Sequence, residues 1–113
     1  MRKTISIVIP VFNEEENLRE FYTRLTKVMS EVSYDYDIIF VDDGSRDASS
    51  AILYDLSQND EHVQAYLLSR NFGHQMALTC GLDHAEGDAV ITMDGDLQHP
   101  PELIPELLGL WEA

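Results

Sequence analysis

Ile5-Ser6-Ile7-Val8-Ile9-Pro10-Val11-Phe12 is a short, β-branched and nearly continuous apolar run. That pattern belongs to a strand covered on both faces, because a half-exposed strand would alternate. Directly after it the period changes. Leu18, Phe21, Tyr22, Leu25, Val28, Met29 and Val32 fall at helical spacing, with Glu14, Glu15 and Glu16 at the positive N-terminal end. A buried strand feeding an amphipathic helix is the opening unit of a parallel α/β sheet.

The alternation then repeats three times. Tyr36 to Val41 predicts a second strand, closed by Asp42-Asp43-Gly44-Ser45. A helix follows from about Asp47 to Gln58, with Ile52, Leu53 and Leu56 inward and Ser45 or Asp47 as its cap. Val63 to Leu68 predicts the third strand. After Ser69-Arg70-Asn71-Phe72-Gly73, residues His74 to Ala85 read as a helix with Met76, Ala77, Leu78 and Cys80 inward. Gly81 in that helix costs about 1 kcal/mol against Ala, which points to close packing. Ala89 to Met93 predicts strand four, ended by Asp94-Gly95-Asp96. Pro100-Pro101 opens a last helix carrying Leu103, Leu107, Leu108 and Trp111, with Pro105 tolerated near its start. Every crossover is long enough for a right-handed parallel connection. The expected fold is α/β, a Rossmann-like parallel sheet of order 3-2-1-4 with helices on both faces.

With 113 residues, the chain is expected to form a single domain over 1–113. A content of 44% hydrophobic and 25% charged residues excludes disorder and coiled coil. Seven Lys plus Arg against 21 Asp plus Glu give a net charge of -14, which excludes nucleic acid as a partner. One cysteine makes no internal disulfide. Nothing near Cys80 lowers its pKa, so it reads as a small buried hydrophobe rather than a nucleophile. Met1-Arg2-Lys3 is basic, but the apolar run after it stops at Pro10-Val11-Phe12-Asn13, so no signal peptide is read. No apolar run reaches membrane-spanning length, and the chain is expected to be cytoplasmic.

In sheets of this kind ligands bind outside the carboxyl ends of the strands, where the order reverses between strands one and four. Strand one ends in Pro10-Val11-Phe12-Asn13-Glu14, strand two in Asp42-Asp43-Gly44-Ser45, and strand four in Asp94-Gly95-Asp96-Leu97-Gln98. Each piece alone is ordinary turn or cap chemistry. Together they bring carboxylates from three strands to one edge, where like charges repel and gain little for folding, so the edge reads as a site. Asp94 and Asp96 project to one side of an extended chain, and Gln98 continues the row. Such hard oxygen ligands suit Mg²⁺ or Mn²⁺. Zinc would want clustered His and Cys, whereas His62, His74, His84 and His99 are scattered and read as lone surface or helix-end residues. Neither a Walker loop nor a dinucleotide fingerprint is present. A divalent cation also reconciles an acidic protein with an anionic diphosphate.

Ile7-Val8-Ile9-Pro10-Val11-Phe12-Asn13-Glu14-Glu15, the Asp42-Asp43-Gly44-Ser45 turn and Asp94-Gly95-Asp96-Leu97-Gln98 resemble family 2 glycosyltransferases of the GT-A fold. Arg70-Asn71-Phe72-Gly73-His74-Gln75 and Leu97-Gln98-His99-Pro100-Pro101-Glu102 are similar to bacterial polyprenyl-phosphate glycosyltransferases and dolichyl-phosphate mannose synthase. The resemblance implies inverting transfer of a sugar from a nucleotide-diphosphate donor to a polyprenyl phosphate, with UDP-glucose favoured over GDP-mannose. It implies that Pro10, Phe12 and Glu14 border the base and ribose, and that Val41 and Asp43 hold the nucleoside from the other side. Asp94 and Gly95 would face the ribose and diphosphate, and Asp96 and Gln98 would ligate the metal. Phe12 stands where tyrosine is common, and Gly95 replaces a frequent alanine.

Family members continue past this length, into an acceptor half, basic residues that hold the diphosphate, and usually membrane helices. The chain stops at Trp111-Glu112-Ala113 within a helix, so it is expected to be a nucleotide-binding N-terminal part that binds donor and metal without turnover. Membrane contact is then expected only through parts outside it, at the cytoplasmic face, and no catalytic base is assigned. An open sheet edge and apolar helix faces would also favour self-association.

The rival enzyme class is metal-dependent phosphoryl transfer of the haloacid-dehalogenase kind, whose Asp-x-Asp follows the first strand of its core; here the pair follows the fourth. A phosphorylated receiver would likewise need its acidic pair after strand one. A third reading is a non-catalytic nucleotide-binding module.

Overall fold

Apart from Thr4, strand β1 (Thr4–Val11) is buried along its whole length, because it lies between two parallel neighbours and under helices on both faces. The structure, a computed structural model, describes residues 2–95 and 100–112. β2 (Asp35–Asp42), β3 (Val63–Leu67) and β4 (Ala89–Thr92) complete a four-stranded sheet of order β3-β2-β1-β4. All three pairings are parallel, in the register Ile7↔Ile38, Ile7↔Ile91 and Phe40↔Ala65. The expected sheet order is therefore the observed one.

Proline in a central strand needs an explanation, since it donates no ladder bond. Alternate residues of β1 bond to alternate neighbours: Val8 O accepts from Met93 N at 3.0 Å, and Val11 O accepts from Asp43 N at 2.8 Å. Pro10 shares Val8's side, and the β4 ladder ends at Val8↔Thr92. Its missing N–H thus falls past the end of β4. The gap this leaves is where the cleft opens.

Helices α1 (Leu18–Glu31), α2 (Ser49–Asn59) and α4 (Ile104–Glu112) cover one face, and α3 (His74–His84) covers the other. Phe21 and Leu25 of α1, Leu53 of α2 and Ile104 of α4 are fully buried against Ile5, Ile7, Ile9, Ile38 and Phe40. Burying each such side chain contributes roughly 1.5–3 kcal/mol, so this face holds most of the hydrophobic stabilisation. The opposite face is smaller, with Val8, Ile39 and Val41 beneath Ala77. There Gly81 lets α3 approach closely: a Cβ added to it would lie 2.3 Å from Val8 Cγ1. Arg24 of α1 grips Glu102 at 3.0 and 2.6 Å and ties down the 3₁₀ turn Pro101–Leu103 ahead of α4.

Four local expectations are corrected. α1 begins at Leu18 rather than Glu14, because Glu14 O accepts from Asn17 N and Leu18 N in a preceding turn. Neither Ser45 nor Asp47 occupies the N-cap position of α2, which is Ala48; Ser45 ties loops together, and Asp47 does so with one oxygen while the other accepts from Ser49 N at 2.9 Å. Met76 is 55% exposed, because α3 rests on Ala77 and Gly81 and the helical turn carries Met76 aside. In α4 the inward pair is Ile104 and Leu108, leaving Leu103, Leu107 and Trp111 exposed. Among the described residues no helix is long and apolar enough to cross a membrane.

Candidate functional site

The loops after β1 and β2 are stitched together before any ligand is considered. Asn13 has φ 53°, a left-handed conformation that asparagine tolerates better than other side chains. Its N–H donates to Ser45 Oγ at 2.9 Å, and its Oδ1 accepts from Arg46 N at 2.8 Å. Glu14 N donates to Ser49 Oγ at 2.9 Å. Asp47 takes Glu15 N at 3.2 Å and Ser49 N at 2.9 Å.

The two adjacent acids that close β2, Asp42 at its last position and Asp43 just after it, have separate jobs, since successive residues of extended chain point to opposite faces. Asp42, 2% exposed, is bonded by the hydroxyl and N–H of Ser45 within its own turn. Burial pushes its carboxyl above the usual range, against the pull of those bonds. Asp43, 3% exposed, faces the other way and accepts from Phe72 N at 2.8 Å, Gly73 N at 3.1 Å and Asn71 Nδ2 at 3.1 Å. The loop after β3 is therefore folded around one carboxylate. Gly44 seals the joint: at φ 71° it lies so close that a Cβ would sit 2.2 Å from the Arg70 carbonyl carbon.

Three adjoining hollows open at this edge, of about 190, 210 and 240 Å³, all bordered by Pro10 and His74. The middle one runs between Val11, Phe12, Asp43, Asn71 and Gly73. A second adds Phe12, Glu14, Asp94 and Gly95, and the third adds Leu78, Thr92, Met93 and Asp94. Pro10, Phe12, Glu14, Asp43, Asp94 and Gly95 are thus brought to one cleft. Val41 is not among the lining residues: its side chain is fully buried beneath α3. Asp96 and Gln98 lie outside the described residues. Gly95 has room for alanine, as an added Cβ would meet Ile9 Cγ2 at 3.4 Å.

Two residues enter the cleft that the sequence reading did not assign to it. His74, read as a lone helix-end histidine, borders all three hollows, and its Nε2 lies 4.0 Å from Asp94 Oδ1. Asn71 borders the middle hollow and bridges to Asp43 O as well as its carboxylate. The signal was topological. β3 is the far edge strand, yet α3 must cross back over β2 and β1 to reach β4, and that carries its N-terminus to the switch point.

Among the described residues no group of three or more His, Cys, Asp or Glu could hold a metal. Glu14 and Asp94 nevertheless face one hollow, and carboxylate oxygens are the donors that Mg²⁺ and Mn²⁺ prefer. The donor chemistry of the cleft fits such an ion.

Parallel strands in this order, with an acidic cleft at the switch point, define a Rossmann-like layer. The pattern of Glycosyl transferase family 2 matches residues 6–113, and the chain belongs to that family. It is 49% identical over 105 residues to an undecaprenyl-phosphate 4-deoxy-4-formamido-L-arabinose transferase of Pseudomonas fluorescens (strain SBW25), covering 92% of this chain and 31% of that protein. Over 109 residues it is 47% identical to a prophage bactoprenol glucosyl transferase homolog of Escherichia coli (strain K12), covering 96% of this chain and 36% of that one. The chain spans about a third of the length of these curated relatives. Glucosyl-3-phosphoglycerate synthase from Mycobacterium tuberculosis, solved with Mn²⁺, UDP and glucosyl-3-phosphoglycerate, shares the fold at TM-score 0.75 and 23% identity over 96% of this chain and 39% of that one. A mannosyltransferase from Pyrobaculum calidifontis, solved with GDP-mannose and Mn²⁺, does so at TM-score 0.71 and 21% identity over 85% and 28%.

Proposed function

We propose that this chain is the donor-binding part of an inverting glycosyltransferase that moves a sugar from a nucleotide diphosphate to a polyprenyl phosphate. The observation that carries the reading is the cleft at Pro10, where the ends of β1, β2 and β4 meet the start of α3. Family membership and relatives named for undecaprenyl phosphate and bactoprenol support the reaction class and acceptor. Neighbours solved with UDP or GDP-mannose support a nucleotide, and UDP-glucose remains the favoured donor.

The middle hollow suits a base. Phe12, 43% exposed, offers a ring face. An ionised carboxylate has about four acceptor positions, and three on Asp43 are filled by loop donors, which leaves about one for a ring N–H. Val41 supports this wall from below. Glu14, Asp94 and Gly95 border the neighbouring hollow for the ribose and diphosphate. Asp96 and Gln98 would hold Mg²⁺ or Mn²⁺. When bound, the cation offsets diphosphate charge and stabilises it as a leaving group.

In the transfer, a phosphate oxygen of the acceptor forms the new bond to the anomeric carbon from the side opposite the diphosphate. The old carbon–oxygen bond breaks and the nucleoside diphosphate departs. A phosphate monoester with a second pKa of about 6 is already mostly dianionic at neutral pH, so little general base is needed. What the residues of this chain supply is alignment and orientation of the donor. Net charge -14 opposes a diphosphate, so these 113 residues should bind the donor weakly. β4 is an edge strand with Val90 41% exposed, and this favours self-association.

The test is incubation with labelled UDP-glucose or GDP-mannose, Mn²⁺ and a short polyprenyl phosphate. The chain should bind donor and leave the lipid unglycosylated, whereas extending it to the length of its relatives should give glycosylated lipid. Accumulation of glycosylated lipid with the 113 residues alone would overturn the division of labour. Hydrolysis of a simple phosphomonoester would point instead to the dehalogenase class.

A further inference from the structure

We infer that His74 is a specificity-determining residue of the cleft, which together with Asp94 takes the ribose hydroxyls of the nucleotide; the inference rests on the donor-binding reading above. His74 borders all three hollows, so any ligand that spans them passes its ring. Its Nε2 stands 4.0 Å from Asp94 Oδ1, too far for a direct hydrogen bond. The spacing matches a hydroxyl seated between them at about 2.8 Å from each. With the ring N–H at Nε2, a group that both donates and accepts bridges the two, giving its proton to the carboxylate and accepting from the ring N–H. A phosphate at the same place would meet the negative charge of Asp94. A ribose hydroxyl would not.

The ring is also held where it can select. Gly73 N donates to Asp43 Oδ2 at 3.1 Å and Gly73 O accepts from Ala77 N at 3.1 Å, which fixes the backbone on the N-terminal side of His74. Gly73 has φ 106°, a conformation that keeps a side-chain-bearing residue out of this turn. The anchored loop gives the exposed His74 side chain a defined starting point beside Asp94.

The experiment compares binding of UDP, 2′-deoxy-UDP and 3′-deoxy-UDP, and the same guanosine series, to the chain and to His74→Ala with Mn²⁺ present. The parent should prefer the ribonucleotide over either deoxy form by about tenfold, the size of one or two net hydrogen bonds. His74→Ala should weaken the ribonucleotide by about fivefold and leave the deoxy forms within about twofold. His74→Asn, which keeps a donor and an acceptor, should restore part of the preference, and the urea midpoints should agree. Equal weakening of ribo and deoxy forms in His74→Ala would overturn the inference while leaving the donor reading intact. Absence of binding by both UDP and GDP to the parent would overturn the donor reading and this inference with it.

Discussion

Phe72 N lies 2.8 Å from Asp43 Oδ1, so the loop that follows the far edge strand is folded onto the end of its neighbour. One carboxylate thereby shapes the cleft wall and borders the hollow proposed for the base.

Asp43→Asn should therefore do two kinds of damage. Asparagine has one acceptor oxygen and turns an NH₂ toward backbone N–H donors, leaving at least one of them unsatisfied. The expected loss is roughly 1–3 kcal/mol of stability, read from the urea midpoint, together with weaker nucleotide binding. An unchanged midpoint would mean that the loop does not depend on this carboxylate.

Gly81→Ala sets two effects against each other. Alanine favours the helix by about 1 kcal/mol, but the new methyl meets Val8 Cγ1 at 2.3 Å, and overpacking costs about 1–3 kcal/mol. The packing cost should win and lower the melting temperature, and Val8→Ala in the same chain should recover part of the loss. A melting temperature equal to or above the parent's would refute the close approach.

Alkaline stability should report on Tyr22, whose hydroxyl donates to Asp60 at 2.6 Å. Burial first, then that bond and the charge of Asp60, push the phenol from 10.0 up to about 12. The unfolded chain then loses this proton first, so the contribution is complete below pH 10 and is lost as pH rises toward 12. Tyr22→Phe should flatten that limb in pH-dependent urea melts; an identical limb would contradict the assignment. At the acid end the sign reverses. Burial disfavours ionised Asp60, but bonds from Tyr22 and His62 outweigh it and hold the carboxyl below its ordinary 3.8. Its contribution is present above that value and is lost as pH falls through the lowered one.

The proposed ion makes unequal demands on the two acids of the Asp94-Gly95-Asp96 segment. Asp96→Ala should abolish the Mn²⁺ dependence of nucleotide binding, while Asp94→Ala should weaken binding and keep the dependence. Titrations showing Mn²⁺ dependence intact in Asp96→Ala would end that assignment.

Much of the sheet was legible because burial leaves a clean mark: β1 reads as one apolar run, and its covered faces are the reason. Strand order followed from alternation and from acids at three strand ends. On α3 the small contacts Ala77 and Gly81 were legible as an inward residue and a close approach, but hydrophobicity also drew in Met76, which is 55% exposed. The acids of the cleft were visible as a local motif. His74 and Asn71 were hidden because their place depends on a crossover spanning two strands, which spacing along the chain does not record.

The central claim is that the carboxyl edge around Pro10 holds a nucleoside diphosphate through a divalent cation. Its most direct test is calorimetric titration of UDP and GDP into the chain, with Mn²⁺ present and then removed by chelation. The account predicts binding near the millimolar range, about -4 kcal/mol, that requires Mn²⁺ and weakens as salt is added. Equal binding without the cation, or none by either nucleotide at about 10 mM with it, would contradict the account.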